Sequence, residues 1–364
     1  MDTPYCFFRL LVKGSYLNDN EKNTVRTIYD SFGMNCIYEI VKEKKIIPFA
    51  ANTFCNCMLD VDFWSNILRH YQIRNKAILL FLNKVYTVLH EQGVRKMFVT
   101  ENFGALLSAD EDIGLFSSGD IDNYAAPDEK EKIYNAFEIL GCARKERFSG
   151  AHQIAAEFFP AKKEGLPDNF YFSVDFYPLA RLKLPCFVQA DDFINWDKIY
   201  AYKNTEIILP PTDALMYICL LHISLHSYSR APDIRLYVDL MNMFHTDIEY
   251  TNIIKWCIHD KTCKRVAVSA ELSNWLVETR FQNDIIELSK NRLGLEKMVY
   301  DFKKRDLRYA PDRLKILLIE MKCNDSNMLV GLKNILFPNK EWVKKVYMCC
   351  GLKAYLLHII KLLR

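Results

Sequence analysis

Apolar residues recur at three- and four-residue spacing through most of the chain, and short alternating segments interrupt this pattern in the middle. The segment from Asp62 to Gln92 predicts one long helix or two abutting helices, with Gly93 as a C-terminal stop. The upstream segment 18–44 has the same character. Residues 1–92 are therefore predicted to form an N-terminal helical region.

Between residues 93 and 184 the pattern changes to short strand-like runs. A helix is predicted over residues 127–141, because acids precede an apolar stripe at helical spacing and Gly141 follows it. The predicted strands are residues 95–100, 119–125, 152–159 and 170–177. This middle region is predicted to be a small α/β core.

From residue 185 to residue 364 the helical pattern returns. Two prolines followed by Thr212 or Asp213 mark the start of a helix. The last apolar segment carries lysines, so it predicts either a helix on a membrane surface or a terminal helix docked on the core. The predicted fold class is α+β, with a small mixed β-sheet core flanked by N-terminal helices and a C-terminal helical domain.

Composition narrows the class of protein. The chain has 364 residues, 23 Phe, 20 Tyr, 5 Trp and a formal net charge of +3, which is typical of a folded protein and does not predict binding to a polyanion. Its 12 cysteines stand mostly in apolar segments, and its first residues do not have the pattern of a signal peptide. We therefore expect a cytoplasmic protein. No apolar run reaches the ~18 residues of a membrane span, so no transmembrane segment is predicted.

Candidate chemistry begins in the segment SSGDIDNYA (Ser117–Ala125). Asp120 and Asp122 stand two positions apart and would lie on one face of a strand. Their carboxylates would repel each other unless a cation lay between them, and Mg²⁺ prefers carboxylate and phosphate oxygens. Such a pair is also typical of a turn that faces water. Asp175 favours the metal interpretation, because an isolated acid in an apolar strand is costly to bury without a partner.

The order of these segments resembles the nucleotidyltransferase superfamily with a polymerase-β-like core. Within it, the chain is most similar to a bacterial group of uncharacterised nucleotidyltransferases. The resemblance extends from about residue 35 to about residue 350 and is carried by the long helix, ENFGALL, SGDID, SVDF and the helical segment 209–245. It implies transfer of a nucleoside monophosphate from a nucleoside triphosphate, usually ATP, to an acceptor. Pyrophosphate would leave, and two Mg²⁺ ions (or Mn²⁺) would be bound.

The resemblance also implies roles for particular residues. Asp120 and Asp122 match the paired metal ligands of the family. Asp175 matches its third acid, which helps to bind the catalytic metal and to activate the acceptor hydroxyl. Gly104 matches a glycine that lets backbone amides approach the triphosphate.

Ser117 and Ser118 are predicted to line the phosphates. Family members usually carry a lysine before the glycine and an arginine shortly before the acid pair. This chain has Phe103 and the uncharged segment LFSSG at those places. Positive charge from elsewhere is therefore expected, and the candidates are Lys96, Arg144, Lys145, Arg147 and Arg181.

His222 and His226 stand one helical turn apart. Such a pair predicts either a metal- or phosphate-contacting face or a hydrogen-bonded structural pair. The two match a recurrent histidine pair of the resembling family, with Arg230, Arg235 and Asp239 downstream. We expect the helix that carries the histidine pair to face the active-site cleft, where His222, His226 and Arg230 would contact nucleotide or acceptor.

Two functions are therefore predicted. The first is a Mg²⁺-dependent nucleotidyltransferase whose acceptor is a protein side chain, a peptide, a sugar or an RNA end. The second is a catalytically inactive protein of the same fold that acts as a binding or scaffolding partner. The missing lysine and arginine favour the second function, and the three aspartates favour the first.

Overall fold

The computed structural model combines many helices with one β-sheet. It describes residues 4–149, 152–161, 165–177, 201–226, 228, 233–244, 248–281, 283–288, 299, 323, 333, 336–337, 340–349 and 351–363. Arg181, Arg230 and the predicted boundary at residue 184 lie outside the described residues.

The N-terminal region is helical, as its pattern predicts. Its helices are α1 (Pro4–Lys13), α2 (Asp19–Phe32), α3 (Met34–Glu43), α4 (Ile47–Asn56) and α5 (Val61–Glu91). Asn18 and Glu21 form a capping box at the start of α2, because each side chain accepts a hydrogen bond from the backbone N–H of the other residue. Gly33, at a φ of 74°, makes the turn from α2 to α3.

Helix α5 confirms the prediction of a long helix over residues 62–92. Gly93 follows its end in the left-handed conformation, at a φ of 75°. One stripe of its second half is fully buried against the sheet and consists of Ile78, Leu82, Val85 and Leu89. Because these residues recur at helical spacing, the C-terminal half of α5 packs against one face of the sheet.

The sheet has five strands in the order β1-β2-β5-β4-β3. They are β1 (Met97–Val99), β2 (Asp120–Ala125), β3 (Cys142–Ser149), β4 (His152–Pro160) and β5 (Tyr171–Asp175). Strands β2 and β5 are parallel and the other neighbours are antiparallel. The four predicted strands are confirmed. Strand β3 was missed because it is a charged, largely exposed edge strand with no apolar alternation to reveal it.

Two helices connect the strands, α6 (Glu101–Ser108) between β1 and β2, and α7 (Lys130–Ile139) between β2 and β3. One face of the sheet packs against α5 and α7, where the rings of Phe137 and Phe158 stack at 3.9 Å. On the opposite face, Phe98 and Tyr124 belong to the core of the remaining helices.

The described part of the C-terminal region is helical. Its helices are α8 (Thr212–Leu225), α9 (Asp233–Met243), α10 (Tyr250–Asp260), α11 (Cys263–Val277), α12 (Asn283–Glu287), α13 (Lys340–Tyr347) and α14 (Leu352–Leu363). Helix α8 begins at Thr212, as predicted. Helices α8–α12 share one hydrophobic core with α1–α4.

The last helix, α14, packs against α13. Ala354 and His358 are buried there, whereas Leu352, Leu356 and Ile360 are exposed. This side of α14 is thus covered by α13, and docking of the segment on the core stays a prediction.

The chain is a mixed α/β protein with a mixed five-stranded sheet, which agrees with the predicted α+β class. Among the helices described above, none is both long enough and apolar enough to cross a membrane. The cysteines whose side chains are described are free thiols.

Candidate functional site

The register of β2 and β5 places the predicted acids on one face of the sheet. Asp122 pairs with Ser173, and Asp175 pairs with Tyr124, the next residue of β2 on that face. Asp120 pairs with Tyr171. Paired residues of neighbouring strands share a face, so Asp120, Asp122 and Asp175 share one. Glu157 of β4, which pairs with Ser173, joins them. We call the face that carries these four residues the acid face.

Spacing along the strands separates the three aspartates unequally. With a rise of about 3.3 Å per residue and strands about 4.8 Å apart, the Cα atoms of Asp122 and Asp175 are about 8 Å apart, and those of Asp120 and Asp175 about 14 Å. Asp122 therefore lies between the other two. Within the described residues, no group of three or more His, Cys, Asp or Glu side chains is arranged to hold one metal ion.

Asp120 is held by two hydroxyl groups. The Ser118 hydroxyl donates to its Oδ1, and the Tyr171 hydroxyl donates to its Oδ2 at 2.9 Å. Burial alone would raise the pKa of the Asp120 carboxyl, but these hydrogen bonds and the positive charges of Arg235 and Lys45 lower it below its usual value. Burial raises the pKa of the Tyr171 hydroxyl, and the negative charges of Asp120, Asp122 and Glu157 raise it further. Asp120 is therefore a stabilised carboxylate.

The other half of the acid face is crossed by Arg147, at a β-bulge of β3. Its Nη2 donates to Ser173 Oγ at 2.6 Å and lies 3.8 Å from Asp175 Oδ1, and its Nε lies 3.2 Å from Glu157 Oε1. Lys145 also pairs with Glu157, at 3.3 Å. Asp175 and Asp122 are 4% and 9% exposed. Positive charge from β3 thus partly neutralises the acids at this end.

The segment that leads into β2 is fixed by α5. Arg74 Nη1 donates to Phe116 O at 3.2 Å, and its Nη2 donates to Ser118 O. The buried amide of Asn75 donates to Phe116 O at 2.9 Å and to Ile113 O at 2.7 Å. Burial lowers the pKa of Arg74. Two adjacent residues of one helix therefore set the position at which Asp120 begins its strand.

The predicted phosphate-lining residues have protein contacts of their own. Ser117 Oγ donates to Lys45 O at 2.6 Å, and the Ser118 hydroxyl donates to Asp120. Gly104 lies inside α6, where an added Cβ would stand 3.0 Å from Val99 O and 3.2 Å from Val99 C. Close packing of α6 on the end of β1 accounts for a glycine at this position. Its predicted approach to phosphate stays a prediction.

The ring of His222, in the last turn of α8, meets the ring of His226, the residue that follows the helix, edge to face at 4.9 Å between centroids. Nδ1 of His222 lies 2.9 Å from Oε2 of Glu101, which is 3% exposed. Glu101 has a φ of 53°, a left-handed conformation that costs a residue with a side chain about 1–2 kcal/mol. The preceding Thr100 donates its N–H to Asp122 O at 2.8 Å. The carboxylate–histidine pair therefore lies one residue from the backbone that binds Asp122.

Sequence reasoning missed Glu101. The letters ENFGALL contain no signal for it, because a glutamate at the first position of a helix is an ordinary favourable residue. Only its left-handed backbone and its burial against α8 distinguish it. Asn123, an unusual polar residue after the acid pair, is fully buried on the opposite face and accepts a hydrogen bond from Tyr86 of α5 at 3.1 Å.

The positions of the candidate cations differ. Lys145 and Arg147 lie on the acid face, as the ion pairs above show. Lys96 pairs with Asp128 at 3.5 Å beyond the far end of β2, and Arg144 lies 3.9 Å from the centroid of the Tyr134 ring on the α7 side. A further cation, Arg235 of α9, contributes to the lowered pKa of the Asp120 carboxyl.

Comparison of the chain with protein-family models, with curated proteins and with solved structures finds no match.

Proposed function

We propose that this protein is a Mg²⁺- or Mn²⁺-dependent nucleotidyltransferase. It would transfer a nucleoside monophosphate from a nucleoside triphosphate to an acceptor and release pyrophosphate. The observation that carries the proposal is the parallel pairing of β2 with β5, which puts Asp120, Asp122 and Asp175 on one sheet face. Three carboxylates on one face have a cost in charge repulsion that a divalent cation would remove.

Carboxylate oxygens are the ligands that a hard divalent cation prefers, although no three acidic, histidine or cysteine side chains of the described residues are arranged around one ion. Asp122 lies between the other two acids, so it is the residue best placed to act with either of them. Such an ion would supply neutralisation of phosphate charge when bound. The chain itself would hold Asp120 as a carboxylate through Ser118 and Tyr171, and Arg147 would orient Asp175.

The acceptor belongs to one of four classes, namely a protein side chain, a peptide, a sugar or an RNA end. The structure has an open pocket of about 380 Å³ between α3, α4 and the first half of α5. Its aromatic lining includes Tyr38, Phe63 and Tyr71. Tyr71 stands one helical turn before Arg74, which holds the segment leading to Asp120. An acceptor with a planar or apolar group fits this lining.

A second function is favoured by a different observation. Both carboxylate oxygens of Asp120 accept hydrogen bonds from protein hydroxyls, and Arg147 stands against Asp175. A sheet face neutralised in this way is suited to a catalytically inactive protein that keeps the fold as a binding or scaffolding partner.

Incubation with each labelled nucleoside triphosphate and Mg²⁺ or Mn²⁺ tests the proposal. The measurement is pyrophosphate release and transfer of label, with a panel of the four acceptor classes. Asp122→Asn should abolish transfer. The matched control is Asp128→Asn, which removes an exposed carboxylate that pairs with Lys96 away from the acid face and should leave transfer unchanged. Equal pyrophosphate release by the wild type and Asp122→Asn would contradict the proposed nucleotidyltransferase function and favour the scaffolding function.

A further inference from the structure

Arg235 of α9 is a buried cation whose charge acts on the acid face. Its residue is 4% exposed, and its positive charge contributes to the lowered pKa of Asp120. Its charge also acts on Asp239 and on the buried thiol of Cys219 in α8. Arg235 lies on α9, which packs against both α6 and α8.

The guanidinium has unused hydrogen-bonding capacity. Nη1 lies 3.5 Å from Asp239 Oδ2, one helical turn along α9, and this ion pair makes no hydrogen bond. In the described part of the chain, the buried Nε and Nη1 atoms have no hydrogen-bond acceptor. A buried guanidinium normally has its N–H groups satisfied by carboxylate or phosphate oxygens.

Other polar groups of the same helix contact share this property. Helix α6 packs against α9. At or just before the start of α6 and on α9, three further side chains that are at most 6% exposed have a polar atom without a hydrogen-bond partner among the described residues. They are Thr100 (Oγ1), Asn102 (Oδ1) and Asn242 (Nδ2). Buried polar groups without partners are rare in folded proteins, so each of them calls for an explanation, and a ligand that supplies the missing partner is one.

Arg235 differs from the other described cations that act on the acid face, because it is buried and two of its guanidinium nitrogens, Nε and Nη1, make no hydrogen bond. Arg147 and Lys145 form ion pairs with Glu157, and Arg147 donates to Ser173 through Nη2, although its Nε makes no hydrogen bond. Arg74 is occupied by the carbonyl oxygens of Phe116 and Ser118. Arg235 combines burial, free donors and proximity to Asp120. Its planar fork of donors matches the geometry of phosphate oxygens.

We propose that the Arg235 guanidinium binds a phosphate group of a ligand held beside Asp120, with the diphosphate unit of a nucleotide as the chemical class. Arg235 thereby supplies the charge that Phe103 and the segment LFSSG lack. The identity of the ligand as a nucleotide rests on the proposed nucleotidyltransferase function, whereas anion binding at Arg235 does not.

Calorimetric titration of the full chain with pyrophosphate, in the presence of Mg²⁺, tests the assignment without any turnover. The wild type should bind pyrophosphate, and Arg235→Met should weaken binding about tenfold or more, because a charge-assisted, bidentate contact is lost. Arg235→Lys should fall between them, because it keeps the charge but not the fork. Arg144→Gln is the matched control, since Arg144 packs on Tyr134 on the other side of the sheet, and should bind as the wild type does.

Folding of each variant is checked by circular dichroism. If Arg235→Met does not fold, the double variant Arg235→Met/Asp239→Asn takes its place, because it removes both members of the ion pair and leaves no buried charge without its partner. Wild-type affinity for pyrophosphate in either variant would overturn the assignment, and so would an absence of pyrophosphate binding by the wild type. Binding that depends on Arg235, together with no transfer in any nucleotide assay, would keep the anion site and remove the nucleotidyltransferase function. Nucleotide transfer that is unaffected by Arg235→Met would keep the nucleotidyltransferase function and remove the anion site at Arg235.

Discussion

The carboxylate of Glu101 lies 2.9 Å from Nδ1 of His222 and joins the start of α6 to α8. Both groups are largely buried, and Glu101 is held in a left-handed backbone conformation at the junction. We expect Glu101→Ala to lower the free energy of unfolding by about 1.5–3 kcal/mol, because a hydrogen bond to a charged group is lost. Urea-induced unfolding measures the change.

The pairwise contact is isolated by a double-mutant cycle of Glu101→Ala with His222→Ala. We expect a coupling energy above about 0.5 kcal/mol for residues in direct contact. Glu138→Ala, which removes an exposed carboxylate from α7, is the control and should change stability by less than about 0.5 kcal/mol. Strict additivity of the two replacements would refute the contact.

Gly104 is required by packing. In Gly104→Ala the new Cβ would stand 3.0 Å from Val99 O, a backbone atom of β1 that cannot move freely because Val99 N is bonded to Ile208 O at 3.0 Å. Overpacking of this kind costs about 1–3 kcal/mol, and the better helix propensity of alanine offsets about 1 kcal/mol of it. We therefore expect a net loss of about 1 kcal/mol in thermal or urea unfolding.

The matched control for that replacement is Gly119→Ala, where a Cβ would meet no atom within 4 Å. It should leave stability unchanged or slightly raise it. If Gly104→Ala keeps full stability but loses nucleotide binding, the glycine serves the phosphate approach predicted from the sequence and not the packing of α6.

Tyr86 and Asn123 form a buried polar pair between α5 and β2. Tyr86→Phe removes the donor that Asn123 Oδ1 accepts from, and should cost about 1–3 kcal/mol through the unsatisfied amide. Asn123→Val combined with Tyr86→Phe removes both polar groups and should recover a large part of that loss. A double variant less stable than Tyr86→Phe would show that the amide bonds of Asn123 to Ile121 O and Ser173 O dominate instead.

Asp239 predicts a pH dependence of stability. Burial raises the pKa of its carboxyl to about 6, against the opposing effect of Arg235. Because the folded-state pKa lies above the unfolded value, the folded protein binds the proton more tightly between pH ~4 and ~6. The stabilisation is therefore fully present at the lower end of this window and is lost as the pH rises through about 6.

Between pH ~4 and ~6 the free energy of unfolding should fall by about 2 kcal/mol because of Asp239. In Asp239→Asn, the difference between the free energies of unfolding measured at these two pH values should be smaller by that amount. The reference is wild-type protein measured at the same two pH values. An unchanged pH dependence in Asp239→Asn would assign the effect to other carboxyl groups.

Local patterns in the sequence determined several features of this protein. The 3.6-residue period of α5 and the start of α8 at Thr212 follow from residues within one segment. The shared face of Asp120 and Asp122 follows from the two-residue period of a strand. These features depend on neighbours in the chain, so the sequence reveals them directly.

The tertiary structure decided the features that depend on how distant segments are aligned. The register of β2 against β5 sets Asp175 opposite Tyr124, about 14 Å along the face from Asp120, and no pattern within either strand encodes that register. The contact of Glu101 with His222 and the effect of the buried Arg235 on Asp120 arise in the same way, because they depend on the packing of segments that are distant in the chain. Edge strand β3 escaped detection since its stability comes from pairing with β4 and not from an apolar face of its own.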